Sequence, residues 1–277
     1  ARLTNRLLKQ NSPVYWAPNG FAIENQQFSA GTLVAKVSQS QSNTGNLLKD
    51  IPISILKVKK RPQLAWQKIH LPKIGLYQGY ADATDEGWTR WILERFEFPY
   101  DSLNDQAIQN NKLSHYDIIV IPHQDPLDII EGLKEPYPEL YQGGIGENGL
   151  KQLKNFAESG GTVLFLGRSA QIPLTYWETG IQNVTQNLST EEFYVPGSLL
   201  RVRVNNRHPI GYGMPNKAAI FFKNDPVFHL NNGLDLVQYN SKNPLLSGWM
   251  TGGEHLSNRT ALAEFSIGKG RAILVGF

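Results

Sequence analysis

Cysteine is absent from the 277 residues, which removes disulfides, thiolate metal ligands and a cysteine nucleophile together. Long apolar runs are missing too. Nothing approaches the roughly 18–20 consecutive apolar residues of a membrane helix, and the opening Ala1-Arg2-Leu3-Thr4-Asn5-Arg6 lacks the apolar centre of a signal peptide. The expectation is a soluble chain with no membrane span. None of the histidines His70, His115, His123, His208, His229 or His255 has Glu three positions later, so no His-x-x-Glu pair is present to hold zinc. A strong excess of either charge is also lacking, with 27 Lys+Arg against 24 Asp+Glu.

That near-balance conceals a division. Residues 1–70 hold 10 basic and 2 acidic residues, whereas residues 71–277 hold 17 and 22. The densest basic piece is "KVKKRP", Lys57 to Pro62. It has neither the interleaved aromatics nor the motif of a nucleic-acid binder, so no nucleic-acid partner is expected. A basic N-terminal module leaning on an acidic main domain accounts for the asymmetry.

Residues 1–70 read as a small α+β unit with a linker. "ARLTNRLLKQ" suits a short helix, "PVYWA" a strand, and "FAIENQQFSAGTLVAKV" a hairpin turning at Glu24-Asn25-Gln26. "SQSQSNTGN", residues 38–46, is a polar loop, and "NLLKDIPISILKV" predicts a short helix followed by a strand. From residue 71 onward strands and helices alternate, the signature of a parallel sheet covered by helices. "KIGLYQGY" is its first strand and "DEGWTRWILERFEF" its first helix, with Trp88, Trp91, Ile92 and Phe96 expected to face inward. "YDIIVIPH" is a strand buried on both faces. "GENGLKQLKNFAESGG" is a helix with Leu150, Leu153, Phe156 and Ala157 inward and Asn148 as its cap. "TVLFLG" is the next strand, and beyond about residue 195 six strand-like segments extend the sheet. The last of them breaks off at Phe277, which suggests that both ends belong to a longer protein.

"PKIGLYQGY", "DEGWTRWILERFEFPY", "YDIIVIP", "YQGGIGENGLKQLKNFAESGGTVLFLG", "EEFYVPGSLLRVRV", "HPIGYGMP" and "LLSGWMTGGEHLSNRTALAEFSIGKGRAILVGF" together resemble the glutamine amidotransferase-like domain of bacterial zinc carboxypeptidases of the carboxypeptidase A superfamily. The N-terminal "NRLLKQNSPVYWAPNGFAIENQQFSAGTLV" resembles the small unit joining that domain to the peptidase. The resemblance implies an α/β, flavodoxin-like fold of the class I amidotransferase type, with a mainly parallel sheet, helices on both faces and the small N-terminal α+β unit. It also implies an upstream peptidase domain as partner, an extracytoplasmic parent, and zinc in that absent peptidase domain only. No cofactor is expected in this chain.

The chemistry turns on "TVLFLGRSAQ". Aligned with the amidotransferase elbow, Ser169 stands where the catalytic cysteine would be, and Gln171 stands where that elbow carries glycine. Glutaminase activity is therefore excluded. Two readings stay open. Ser169 could act as a serine nucleophile on a small amide or ester with His208 as its base, or it could be structural, in an accessory domain that binds a ligand. For binding, the loop after the first strand and the elbow should converge at the carboxyl edge of the sheet, bringing Asp82, Glu86, Arg90, Arg168 and Ser169 to one crevice suited to a glycan or peptide. Glu86 and Arg90 are also i,i+4 neighbours of opposite charge, a helix-surface arrangement. His123-Gln124-Asp125 offers too few ligands for a metal.

Overall fold

The computed structural model describes residues 1–23, 25–36, 47–53, 55–58 and 62–277. Helix α1 (Arg2–Lys9) is followed by strand β1 (Val14–Trp16), the hairpin of β2 (Phe21–Ile23) and β3 (Gln26–Phe28), then β4 (Leu33–Ala35) and β5 (Gln67–Ile69). β1 pairs antiparallel with β4 on one side and β5 on the other. Leu7, Val14 and Leu47 make up the buried apolar cluster of this unit, too little to stabilise it alone. The strand expected in "DIPISILKV" does not form at 51–53 or 55–58. Both edges of β1 are already occupied, and Ile53, Ile55 and Leu56 lie exposed. Glu24 of the expected turn, the loop 38–46 and Lys59, Lys60 and Arg61 of the basic run fall outside the described residues.

The unit is held to the main domain by its charges and aromatics. Arg6 donates to both carboxylate oxygens of Glu97 at 2.6 to 3.0 Å, and Asn5 donates to the Phe96 carbonyl at 2.8 Å. Elsewhere Trp16 packs at 5.5 Å on Tyr212, whose hydroxyl donates to the Pro18 carbonyl. The segment "HPIGYGMP" is therefore a docking loop for the N-terminal unit.

The main sheet begins with β6 (Ile74–Tyr77), helix α2 (Thr84–Arg95), β7 (Tyr100–Leu103), helix α3 (Asp105–Gln109), β8 (Ile118–Ile121) and helix α4 (Pro126–Ile130). Helix α5 (Gly146–Glu158), β9 (Thr162–Leu166), helix α6 (Gln171–Tyr176), β10 (Ile181–Asn183), β11 (Ser198–Val204), β12 (Lys217–Phe222) and β13 (Phe228–Leu230) follow. β14 (Leu234–Tyr239), β15 (Leu245–Ser247), β16 (Thr260–Ile267) and β17 (Gly270–Val275) complete it. The order β7-β6-β8-β9-β17 is parallel throughout. With the five parallel strands numbered in chain order it is 2-1-3-4-5, the flavodoxin-like order. β16, β14, β11 and β12 continue the sheet in antiparallel pairing. The expected flavodoxin-like α/β architecture is thus the observed one.

Alternation along the parallel strands separates two cores. Ile119, Ile121, Val163, Phe165, Ala272 and Leu274 face α3, α5 and α6, with Leu150, Leu153, Phe156 and Ala157 of α5 packed against them as expected. Ile74, Leu76, Val120, Leu164 and Leu166 face the other way and meet Leu93 of α2. A separate cluster built on Leu200, Val202, Ile220, Phe222 and Tyr239 fills the antiparallel half.

Two local expectations need correction. On α2, Leu93 and Glu86 turn toward the protein, while Trp88, Trp91, Ile92 and Phe96 are 60%, 50%, 49% and 41% exposed. Helical spacing identifies residues that share a face without saying which face a neighbouring sheet covers. Asn148 does not cap α5, which starts after Ile145. Its side-chain amide donates instead to the Gln109 carbonyl and ties α5 to α3.

Candidate functional site

In a parallel α/β sheet, ligands gather beyond the carboxyl ends of the strands, where the strand order reverses. Here that edge is formed by the loops after β6, β8 and β9. Gln124 donates to the Ala81 carbonyl at 3.3 Å and joins the first two loops. Arg168 forms an ion pair with Asp125, joining the second and third. The other oxygen of Asp125 accepts from the Leu127 amide at 2.9 Å and caps α4.

The sharp bend after β9 falls at Gly167, with φ +54°. This left-handed conformation is costly for any residue bearing a Cβ. A Cβ there would also run into Nδ1 of His123. The tightest point of the bend is thus made by the residue that has no side chain to present.

Ser169 lies two residues further on and is fully buried. Its hydroxyl oxygen accepts from the Leu166 amide at 3.1 Å and sits 2.8 Å from the Leu166 carbonyl and 3.2 Å from that of Ile121. It fastens the bend to the ends of β9 and β8 and has no path to a substrate. His208, the base expected for it, begins the turn after β11, where its Nδ1 accepts from the Ile210 amide at 3.4 Å. Three strands separate β11 from β9, a lateral distance of roughly 19 Å. The pairing of Ser169 with His208 is corrected accordingly.

The histidine beside the bend is His123. Its Nδ1 lies 3.2 Å from Oδ1 of Asp225, an almost fully buried carboxylate reached from the loop before β13. The two atoms are within hydrogen-bond distance without ideal alignment, and the attraction is strongest when the imidazole is protonated. Asp225 raises the imidazole pKa above its ordinary 6.5 against the opposing effect of burial; Asp85 adds to the rise and Arg168 reduces it. Because the folded value lies above the unfolded one, this pair stabilises the fold fully below pH 6.5. The contribution is lost as pH rises through the folded value. The His123 resonances should therefore titrate above 6.5 by NMR. In Asp225→Asn the midpoint should drop, and the matching decline in stability above neutral pH should flatten; an unmoved midpoint would refute the pairing.

The remaining expected residues divide. Arg168 is exposed at the rim; near it Asp85, in the first turn of α2 and not among the expected residues, acts on His123 by its charge. Asp82 is exposed on the loop. Glu86 is buried with one oxygen on Arg90 at 2.6 Å and the other without a partner. Arg90 is thereby held along α2, where Tyr100 at the amino end of β7 is among the groups acting on it. The crevice thus gathers Asp85, His123, Asp125, Arg168 and Asp225, and leaves Glu86 and Arg90 in a pair of their own. Asp225 carried no signal in the sequence, since it lies about 100 residues from His123 and meets it only through the antiparallel extension. Among the described residues no helix is long and apolar enough to cross a membrane.

No protein-family model and no curated protein matches the sequence. Solved structures with a similar chain path include a glutamine amidotransferase from Thermotoga maritima, at 11% identity and TM-score 0.45, covering 76% of either chain. A ThuA-like protein from Bacteroides uniformis has 11% identity and TM-score 0.44, over 74% of this chain and 81% of that one. A GMP synthase component from Thermoplasma acidophilum has 12% identity and TM-score 0.46, over 76% and 84%.

Proposed function

We propose that this chain is a non-catalytic, amidotransferase-like accessory domain that binds a ligand at the carboxyl edge of its sheet. The observation that carries this reading is Gly167 at the elbow with His123 standing where its side chain would be. The fold retains the bend and has lost the nucleophile. Ser169 offers no substitute, because a buried hydroxyl already engaged by three backbone groups has no base to receive its proton. The His123–Asp225 pair adds an imidazole held charged over a wider pH range, which suits binding more than general-base work near neutrality.

As the sequence resemblance implies, the parent is a secreted zinc carboxypeptidase-like protein, with the peptidase domain upstream as partner and metal chemistry confined to it. The test is enzymatic. Incubated with glutamine, with p-nitrophenyl acetate and with a fluorophosphonate probe, the chain should release no ammonia or nitrophenol above the blank and should take no label. Turnover that disappears in His123→Ala, or labelling that disappears in Ser169→Ala, would overturn the reading.

A further inference from the structure

Beside the crevice, a cleft of about 420 Å³ opens between the start of α6, the loop after β10 and the segment before β13. Its wall includes Arg168, Gln171, Asn183, Gln186, Tyr194 and Asn224. The amides hold one another in place. Gln171 accepts from Asn183 Nδ2 at 3.0 Å and donates to Gln186 Oε1 at 3.1 Å, while the Asn224 oxygen accepts from the Val195 amide at 2.8 Å. Gln186 and Asn224 are exposed, and with their oxygens engaged each keeps a side-chain NH2 group to offer a ligand. Tyr194 adds an exposed aromatic ring. Asp225 lies at the back, its Oδ1 paired with His123 and its other oxygen accepting from the Lys223 amide at 3.3 Å.

The lining sorts ligands by charge. Arg168 is its one cationic residue, and Asp125 already answers that charge, so a phosphate or polyanion gains little. An apolar ligand would leave the amide array unpaired, which costs free energy at every desolvated donor. An uncharged molecule rich in hydroxyls satisfies both conditions. Its oxygens accept from the amide donors, and one apolar ring face lies on Tyr194. The volume lies within the ordinary range of small-molecule sites and admits one or two sugar rings. We infer that this cleft is a binding site for a neutral mono- or disaccharide, an assignment that rests on the non-catalytic reading above.

Titration calorimetry of the whole chain tests it, with glucose, galactose, N-acetylglucosamine, maltose, cellobiose and glucose 6-phosphate as probes up to about 20 mM, a range that covers millimolar affinity. At least one neutral sugar should bind saturably and more tightly than glucose 6-phosphate. Tyr194→Ala and Gln186→Ala, both at exposed positions and expected to melt as the wild type does, should each weaken that binding by about tenfold or more. Absence of saturation with every neutral sugar, preference for the phosphorylated probe, or binding unchanged in both variants would overturn the inference. Recovering each probe intact after the titration keeps the two readings apart. Degradation lost in His123→Ala counts against the non-catalytic reading, and failure to bind counts against the saccharide site.

Discussion

Replacing Gly167 by valine is expected to destabilise the protein by roughly 2–5 kcal/mol, combining about 1–2 for a left-handed residue with a Cβ and about 1–3 for overpacking. The first contribution follows from φ +54°, and valine is among the residues least tolerant of it. The second follows from the position of His123, which must leave Asp225 to make room. Urea denaturation would read the loss as a lower midpoint, and the His123 resonances would return toward the ordinary imidazole value. Gly167→Ala added to His123→Ala separates the two parts when measured against His123→Ala alone, because without the imidazole the new Cβ meets only the Asp225 carboxylate and the further loss is chiefly the backbone cost of about 1–2 kcal/mol. A Gly167→Val protein that unfolds at the wild-type midpoint would show that the bend does not approach His123 so closely in solution.

The second large effect is expected at Phe165. This residue is fully buried on β9, two positions before the bend, and packs edge-on against Trp177 with ring centroids 5.4 Å apart. Truncation to alanine removes a buried aromatic ring between the sheet and α6, a change that costs about 3–5 kcal/mol. β9 lies between β8 and β17 and is covered on both faces, so little can collapse into the space. Phe221 provides the control. It is also on a strand of the same sheet but more than half exposed on the outermost strand, and Phe221→Ala should stay within about 0.5 kcal/mol of wild type. Equal losses at the two positions would contradict the layer assignment.

Most of the architecture was legible because its signals are local. The run Ile118 to Ile121 is apolar without alternation, as a strand buried on both faces requires. The spacing of Leu150, Leu153, Phe156 and Ala157 marks the side of α5 that the sheet covers. The same reasoning failed on α2, where the two tryptophans outweigh Leu93 in any hydrophobic count. Yet Leu93 is the residue that meets Ile74 and Val120. Only the docking of the helix reveals which side is covered.

At the site, the sequence places the bend after β9 at Gly167, as found, but aligns Ser169, which is buried, with the nucleophile. A motif of glycine, any residue and serine directs attention to the serine, but the residue at the turn is the one with positive φ, and that is Gly167. The partnership of Arg168 with Asp125 and of His123 with Asp225 spans separate loops, so no spacing rule could have announced either.

By itself the sequence determined what the fold is and removed one nucleophile: without cysteine these residues offer no thiol, and the strand-helix alternation with its buried runs specifies the parallel sheet. The tertiary structure alone decided what stands at the carboxyl edge. Backbone φ at Gly167 and the long-range approach of Asp225 to His123 are set by how strands distant in the chain pack side by side, and that information is absent from any short stretch of residues.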